Sequence, residues 1–250
     1  MKIGILDSGV GGLTLLKECL KTMPQHHYLY YADALNAPYG TKTTEQVRAL
    51  TEKGVQDLLA LGAEMIVLAC NTATSAAAAT LRAAYEVPII GMEPAVKPGI
   101  QSAKGKRVLV CATELTLAEE KFQQLVQNVD HDAQVDVCAL TELVAFAEAG
   151  AWSEAPVRDY LQEKLSAYDW DIYGSVVLGC THFPIFKSLF DDLTPEHVAI
   201  VDGHEGTIKH MAAFAQTTAV TDGQIDYFVS GRPLEAGDYA NMIKNMMAIS

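Results

Sequence analysis

Two cysteines stand where an apolar run of the sequence meets small polar residues. Cys70 ends a run that begins at Met65, and Cys180 ends a second run that begins at Ser175. Polar side chains follow each thiol directly: Asn71 and Thr72 after the first, Thr181 and His182 after the second. An unbroken apolar run bounded in this way predicts a buried parallel strand, and ligands bind at the carboxyl ends of such strands. The two thiols are therefore candidates for chemistry.

Several kinds of thiol chemistry fit one of these cysteines, but few use both. Cys180 and His182 could bind a metal, although their spacing is not a standard zinc pattern and no second cysteine pair supports it. A Cys–His nucleophile needs a single thiol, and a redox pair would be expected in a CxxC motif, which the chain lacks. Proton transfer at one carbon from either face needs two groups, because one removes a proton and the other returns one. The pair therefore favours a racemase.

Neighbouring polar groups could assist the two thiols. Asp7 follows the first apolar strand and could assist Cys70, and His182 could assist Cys180. The amide and hydroxyl side chains beside the thiols could donate hydrogen bonds to a substrate carboxylate as negative charge develops. The glycine-rich turn after Asp7 could bind an anion at a helix N-terminus, or could be a tight turn that binds nothing.

The remaining candidates have simpler interpretations from the residues alone. Tyr39 lies in a loop that Pro38 and Gly40 constrain, and it is interpreted as an aromatic packed on the surface. The other cysteines are interpreted as small buried apolar residues: Cys19, Cys111 and Cys138.

Composition excludes several classes of protein. Half of the 250 residues are hydrophobic and 20% are charged, as in ordinary globular proteins. The formal net charge of −13 argues against general binding to nucleic acid or to acidic membranes, because there is no basic excess to neutralise phosphates. The five cysteines, the lack of a signal peptide and the lack of a membrane-spanning apolar run predict a cytoplasmic protein with reduced thiols.

Strand and helix patterns alternate along the chain, which predicts an α/β fold with mainly parallel sheets flanked by helices. Three strand ends of the first half recur in the second half at a nearly constant offset: Asp7-Ser8 with Ala112-Thr113, Cys70 with Cys180, and Glu93 with Gly203. The repeat predicts two pseudo-symmetric lobes, 1–95 plus 207–250 and 96–206, with the active site in the cleft between them. The alternative is that an alternating chain looks repetitive without any such symmetry. The segment from Ala95 to Lys106 is interpreted as a crossover between the lobes.

Four motifs together resemble the cofactor-independent glutamate racemases of the aspartate/glutamate racemase superfamily. They span most of the chain in the family's order: Asp7-Ser8-Gly9-Val10-Gly11-Gly12-Leu13, Pro38-Tyr39-Gly40-Thr41-Lys42, Ala69-Cys70-Asn71-Thr72-Ala73 and Leu178-Gly179-Cys180-Thr181-His182-Phe183-Pro184. The resemblance implies a two-domain α/β fold with the active site between the lobes.

The resemblance also implies roles for individual residues. Cys70 and Cys180 correspond to the two catalytic bases, which act without pyridoxal phosphate or metal. Asp7 and His182 correspond to auxiliary acid–base residues, and Glu148, in a Leu-Val-x-x-x-Glu-x-Gly segment, corresponds to the partner of His182. Substrate contacts carry over to ten positions: Asp7, Ser8, Tyr39, Gly40, Asn71, Thr72, Thr113, Thr116, Thr181 and His182.

The function that the resemblance implies is interconversion of L- and D-glutamate, which supplies D-glutamate for bacterial peptidoglycan. The expected partner is this small substrate, without nucleic acid or membrane, and the expected assembly is a homodimer. One alternative is a racemase of aspartate or another amino acid, and another is a catalytically silent carboxylate-binding protein on the same scaffold. Glu119 stands where the family commonly has a small hydroxyl residue, which could alter helix packing or substrate fit.

Overall fold

A computed structural model describes residues 1–153, 155–215 and 223–248. The predicted first lobe runs to residue 250, so its segments 216–222 and 249–250 lie outside the described residues. The chain divides into two compact units, one formed by Met1–Met92 with His204–Ser250 and the other by Glu93–Gly203. Each unit contains its own β-sheet.

Strands and helices alternate through the described residues. The strands are β1 (Lys2–Asp7), β2 (His27–Ala32), β3 (Met65–Leu68), β4 (Ile89–Gly91), β5 (Arg107–Ala112), β6 (Val135–Ala139), β7 (Tyr173–Leu178), β8 (Ala199–Asp202), β9 (Ile225–Val229) and β10 (Arg232–Pro233). The helices are α1 (Leu13–Thr22), α2 (Thr44–Ala60), α3 (Asn71–Ala84), α4 (Val96–Ser102), α5 (Glu114–Ala118), α6 (Glu120–Val129), α7 (Thr141–Glu148), α8 (Ala155–Leu165), α9 (Lys187–Leu193), α10 (His204–Phe214) and α11 (Asp238–Ala248). None of these described helices has the length and apolarity needed to cross a membrane.

Strand order is the same in the central part of both sheets. The first sheet has the order β10-β9-β2-β1-β3-β4, and the second has the order β6-β5-β7-β8. In each unit the first four strands therefore lie in the order second, first, third, fourth, and all of these pairs are parallel. The predicted α/β class and the predicted repeat are confirmed, and Cys70 and Cys180 each follow the third strand of their own unit.

The core of the first unit covers both faces of its sheet, as continuously apolar strands require. On one face Leu6, Ile66 and Leu68 pack with Val55 and Leu58 of α2. Burial of each such side chain stabilises the fold by about 1.5–3 kcal/mol. This packing holds the carboxyl ends of β1 and β3 in fixed register, which positions the residues that follow them.

The core of the second unit shows the period of two that a buried strand requires. Leu109 and Cys111 of β5 face one apolar cluster, whereas Val108 and Val110 face another. Cys111 and Cys138 are fully or almost fully buried on the first of these faces, as expected for small apolar residues.

The segment 95–106, interpreted as a crossover between the lobes, contains the helix α4. Pro98 is the third residue of α4, where the helix has no use for a backbone N–H. Gly99 lies inside the helix because a Cβ there would come within 2.5 Å of Cγ2 of Val177. The two residues that resemble a break therefore mark a helix start and a close approach to β7.

The sequence pattern predicts one helix from Leu117 to Gln127, but the structure breaks it at Glu119. Glu119 has an extended backbone, with φ −66° and ψ 133°, and separates α5 from α6. Its side chain makes no capping hydrogen bond to α6. This break is the main local difference from the first unit, where the single helix α1 connects the first two strands.

Candidate active site

In the first unit the thiol lies at the start of a helix. Cys70 is the N-cap residue of α3, and its Sγ accepts a hydrogen bond from the backbone N–H of Ala73 at 3.5 Å. The side chain is buried. Positive charge at a helix N-terminus favours the thiolate over the thiol, so this position increases the fraction of thiolate at neutral pH.

Beside this thiol the amide of Asn71 offers one unused acceptor. Its Nδ2 donates to the carbonyl oxygen of Met92 at 3.3 Å, which orients the side chain. Its Oδ1 is buried and has no hydrogen-bond partner among the described residues. Thr72, the next residue of α3, is also buried. A buried acceptor without a partner is costly unless a ligand satisfies it.

The turn after β1 is held by hydrogen bonds and by close packing. The fully buried Asp7 accepts a hydrogen bond at Oδ1 from the N–H of Gly9 at 2.9 Å. The hydroxyl of Tyr30 donates to the carbonyl oxygen of Gly9 at 2.7 Å. A Cβ on Gly12 would lie 2.7 Å from the Cβ of Asp7, so glycine is needed there. Asp7 and its neighbour Ser8, also buried, are thus fixed at the carboxyl end of the strand.

The interpretation of Tyr39 as a surface aromatic is wrong. Its side chain is only 1% exposed, and its hydroxyl donates to Oδ2 of Asp33 at 2.7 Å. Burial, followed by the charge of Asp33 and this hydrogen bond, raises the pKa of the Tyr39 hydroxyl far above its usual value, with a smaller contribution from Cys70. Tyr39 and Gly40 lie in a 3₁₀ turn, Tyr39–Thr41.

In the second unit the thiol has a histidine beside it. Nδ1 of His182 lies 3.7 Å from Sγ of Cys180 and 3.4 Å from Oγ1 of Thr181. Nε2 of His182 lies 2.6 Å from Oε1 of Glu148, at the last residue of α7. The structure therefore brings together thiol, imidazole and carboxylate, with the imidazole between the other two groups.

Opposing effects set the protonation of His182. Burial lowers the pKa of the imidazole and is the largest single contribution. The hydrogen bonds and charges of Cys180 and Glu148 together outweigh burial, so the pKa of His182 is raised well above its usual value. A protonated His182 would stabilise a thiolate at Cys180, as in other cysteine–histidine pairs.

Thr113 and Thr116 also lie at the carboxyl edge of the second sheet. Thr113 follows β5 and caps α5 by accepting a hydrogen bond from the N–H of Thr116 at 3.3 Å. Its hydroxyl also donates to the hydroxyl of Thr116 at 2.9 Å. Both side chains are buried, and Thr113 lies at the position equivalent to Ser8 of the first unit.

Within the described residues no group of three or more His, Cys, Asp or Glu side chains could hold a metal ion. Each unit presents one buried thiol at the carboxyl edge of its sheet, beside a helix N-terminus in the first unit and beside His182 in the second. Such thiols can take up or release a proton. Every residue predicted for the site belongs to the group around Cys70 or to the group around Cys180. The sequence analysis did not single out Asp33 or Ser230, whose hydroxyl donates to Asp33. Asp33 directly follows β2, whereas Asp7 is the last residue of the neighbouring strand β1, and this strand-end position could have revealed Asp33.

Comparison with known proteins identifies the family of this site. The Asp/Glu/Hydantoin racemase family model matches residues 6–211. The glutamate racemase of Halothermothrix orenii is 45% identical over 237 residues, which cover 93% of this chain and 94% of the relative. Glutamate racemase 2 of Bacillus subtilis is 43% identical over 254 residues, which cover 100% of this chain and 96% of the relative. The crystal structure of Escherichia coli glutamate racemase with L-glutamate and the activator UDP-MurNAc-Ala has a TM-score of 0.85 at 26% identity, covering 97% of this chain and 92% of that one.

Proposed function

We propose that this chain, which belongs to the Asp/Glu/Hydantoin racemase family, is a glutamate racemase that moves a proton at Cα between two thiols. The observation that carries the proposal is the pair of buried thiols, each at the end of the third strand of its unit. The relatives that match along nearly the whole chain are glutamate racemases, which supports glutamate as the substrate. The product D-glutamate supplies peptidoglycan synthesis.

The reaction needs a base on one face of Cα and an acid on the other. A thiolate takes the α-proton and becomes a thiol, while the thiol on the opposite face gives its proton to the carbanion and becomes a thiolate. The product is the other enantiomer, and the two cysteines have exchanged protonation states. Cys70 and Cys180 take these two parts, so the mechanism requires both to reach the same α-carbon.

On the Cys70 side, the N-terminus of α3 stabilises the thiolate and Asp7 orients the neighbouring groups. The free Oδ1 of Asn71 is suited to accept a hydrogen bond from the α-ammonium of the amino acid. The substrate carboxylates can accept hydrogen bonds from the hydroxyl groups of Ser8 and Thr72. The backbone N–H groups in the turn after β1 and at the start of α3 are further donors. These donors stabilise the carbanion-like state because they are already in place when the charge develops.

On the Cys180 side, His182 and Glu148 control the proton of the thiol. A protonated His182 stabilises the thiolate through Nδ1, and Glu148 holds the charge on the imidazole through Nε2. Thr113, Thr116 and Thr181 supply hydroxyl groups for the substrate at this edge. We further expect a cytoplasmic homodimer, as the family resemblance implies.

Separate Cys70→Ser and Cys180→Ser substitutions test the two-thiol reaction. Each should lower racemisation of both glutamate enantiomers by at least about a hundredfold, since each removes one proton-transfer group. In heavy water each variant should still exchange the α-proton of one enantiomer without inverting it, because one thiol remains. Proton NMR follows the exchange, and circular dichroism of the substrate follows inversion.

The matched control is Cys138→Ala, because Cys138 and Cys180 are each 6% exposed and belong to the same apolar cluster. This variant should racemise glutamate within about threefold of the wild-type rate, as expected for a core change away from the site. Full racemisation by either serine variant would sink the two-thiol mechanism. Wild-type protein that racemises aspartate but not glutamate would overturn the substrate.

A further inference from the structure

Asp33 is a buried carboxylate of the first unit that accepts hydrogen bonds from three side chains. It is 4% exposed. Its Oδ2 accepts from the hydroxyl of Tyr39 at 2.7 Å, and its Oδ1 accepts from the hydroxyl of Ser230 at 2.8 Å. Nδ2 of Asn36 donates to both oxygens, at 3.0 and 3.1 Å. A buried carboxylate with this many donors is held in one position.

These hydrogen bonds join three segments that are distant in the sequence. Asp33 begins the loop after β2, Tyr39 lies in the 3₁₀ turn before α2, and Ser230 lies in the turn between β9 and β10. Two further hydrogen bonds tie that turn to the loop. The N–H of Leu35 donates to the hydroxyl of Ser230 at 3.2 Å, and the N–H of Ser230 donates to the carbonyl oxygen of Ala32 at 2.8 Å.

We propose that Asp33 and Ser230 are positioning residues for substrate binding, because they hold the Tyr39-Gly40 segment beside Cys70. The inference rests on the proposed function, in which Tyr39 and Gly40 contact the substrate. Neither Asp33 nor Ser230 needs to touch the substrate for this role. The turn between β9 and β10 thereby becomes part of the support of the active site.

The hydroxyl of Tyr39 can donate one hydrogen bond, and Asp33 accepts that hydrogen bond. This hydrogen bond and the burial of the hydroxyl hold the phenol ring in one orientation, and the phenol remains neutral because its pKa is raised. Asp33 thus fixes the Tyr39 ring and, with it, the 3₁₀ turn that contains Gly40.

Asp33→Asn is the main test. An asparagine side chain has one acceptor oxygen, and its NH₂ group would face a hydroxyl or amide that now donates, so at least one hydrogen bond is lost. We expect KM for glutamate to rise by about tenfold or more while kcat changes by less than about threefold, because the thiols are unchanged. The dissociation constant of L-glutamate, measured by calorimetry, should rise in parallel.

A double-mutant cycle with Tyr39→Phe distinguishes positioning from general weakening. If Asp33 acts through the Tyr39 hydroxyl, the double variant should raise KM little more than the worse single variant. Ser230→Gly should raise KM by about two- to fivefold, since it removes one neutral donor. Glycine suits this position because φ of Ser230 is +44°, and the variant keeps the test open if Asp33→Asn does not fold.

Tyr31→Phe is the matched control. The hydroxyl of Tyr31 also donates to a carboxylate, Oδ2 of Asp57 at 3.3 Å, in the same unit. Its loss should leave KM unchanged. Unchanged glutamate binding in folded Asp33→Asn, additive effects in the cycle, or an equal rise in KM for Tyr31→Phe would each overturn the inference. Wild-type protein that binds glutamate but does not racemise it would overturn the proposed function alone.

Discussion

The two units place a thiol at the same point of the same strand order but support it differently. Cys70 lies at the N-terminus of α3, in the same unit as the turn that Asp7 holds. Neither of these supports depends on a group that must change its charge. Cys180 has a histidine whose charge depends on Glu148. Repetition of the fold therefore sets where each thiol lies within its unit, whereas the residues after each strand set which groups can stabilise its thiolate form. The difference gives the two thiols separate sensitivities to mutation and pH.

The largest expected effect is loss of the imidazole. His182→Asn should lower kcat/KM for both enantiomers by about a hundredfold, because Cys180 loses the cation that stabilises its thiolate. The loss in kcat/KM must be equal in the two directions, since enantiomers have equal free energy in water. Steady-state assays from L- and from D-glutamate measure it.

The control for this change is His26→Asn, another buried histidine, which comes just before the amino end of β2. Its kcat/KM should stay within about threefold of the wild-type value. If His182→Asn were equally mild, Cys180 would need no titratable partner, and the two thiols would be supported in the same way.

The next-largest expected effect is a pH dependence of stability that arises from the second unit. The pKa of His182 is raised in the folded protein, so its interaction with Glu148 stabilises the fold fully below the unfolded pKa of about 6.5. That stabilisation is lost as the pH rises through the folded-state pKa. Glu148→Gln should therefore lower the melting temperature by about 5 °C or more at pH 6, and by less at pH 9.

Thermal unfolding followed by circular dichroism at both pH values measures this difference. Glu142→Gln, on the exposed side of the same helix, is the control and should shift the melting temperature little at either pH. A loss of equal size at pH 6 and pH 9 for Glu148→Gln would contradict a charge-dependent role for the pair.

The sequence predicted well what depends on local pattern. The sequence pattern predicts strands over His27–Ala32 and Ile225–Val229, and these are the bounds of β2 and β9, because each is a mainly apolar or aromatic run between turn residues. The helix α4 was not predicted, because Pro98 and Gly99, which often break a helix, here lie in its first turn and allow it to approach β7. The burial of Tyr39 could not be predicted, since it depends on Asp33 and on Ser230, which lies 197 positions further along the chain.

The smallest expected effect concerns the connection that differs most between the units. In the first unit α1 joins the first two strands. In the second unit the first two strands are joined by α5 and α6, which Glu119 separates. Glu119 occupies the N-cap of α6 without a capping hydrogen bond, so Glu119→Ser should stabilise the protein by about 0.5–1 kcal/mol. The melting temperature should rise by about 1–4 °C.

This substitution also decides how Glu119 bears on specificity. If Glu119 acts only at the helix start, Glu119→Ser will leave the ratio of kcat/KM for glutamate and aspartate unchanged while the protein becomes more stable. Glu120→Ser, one residue later, is the control and should not stabilise, because that position is the first helical residue rather than the cap. A changed substrate ratio without a gain in stability would instead assign Glu119 to the substrate side of the second unit. The extra break in unit two would then be a feature of specificity rather than of helix packing.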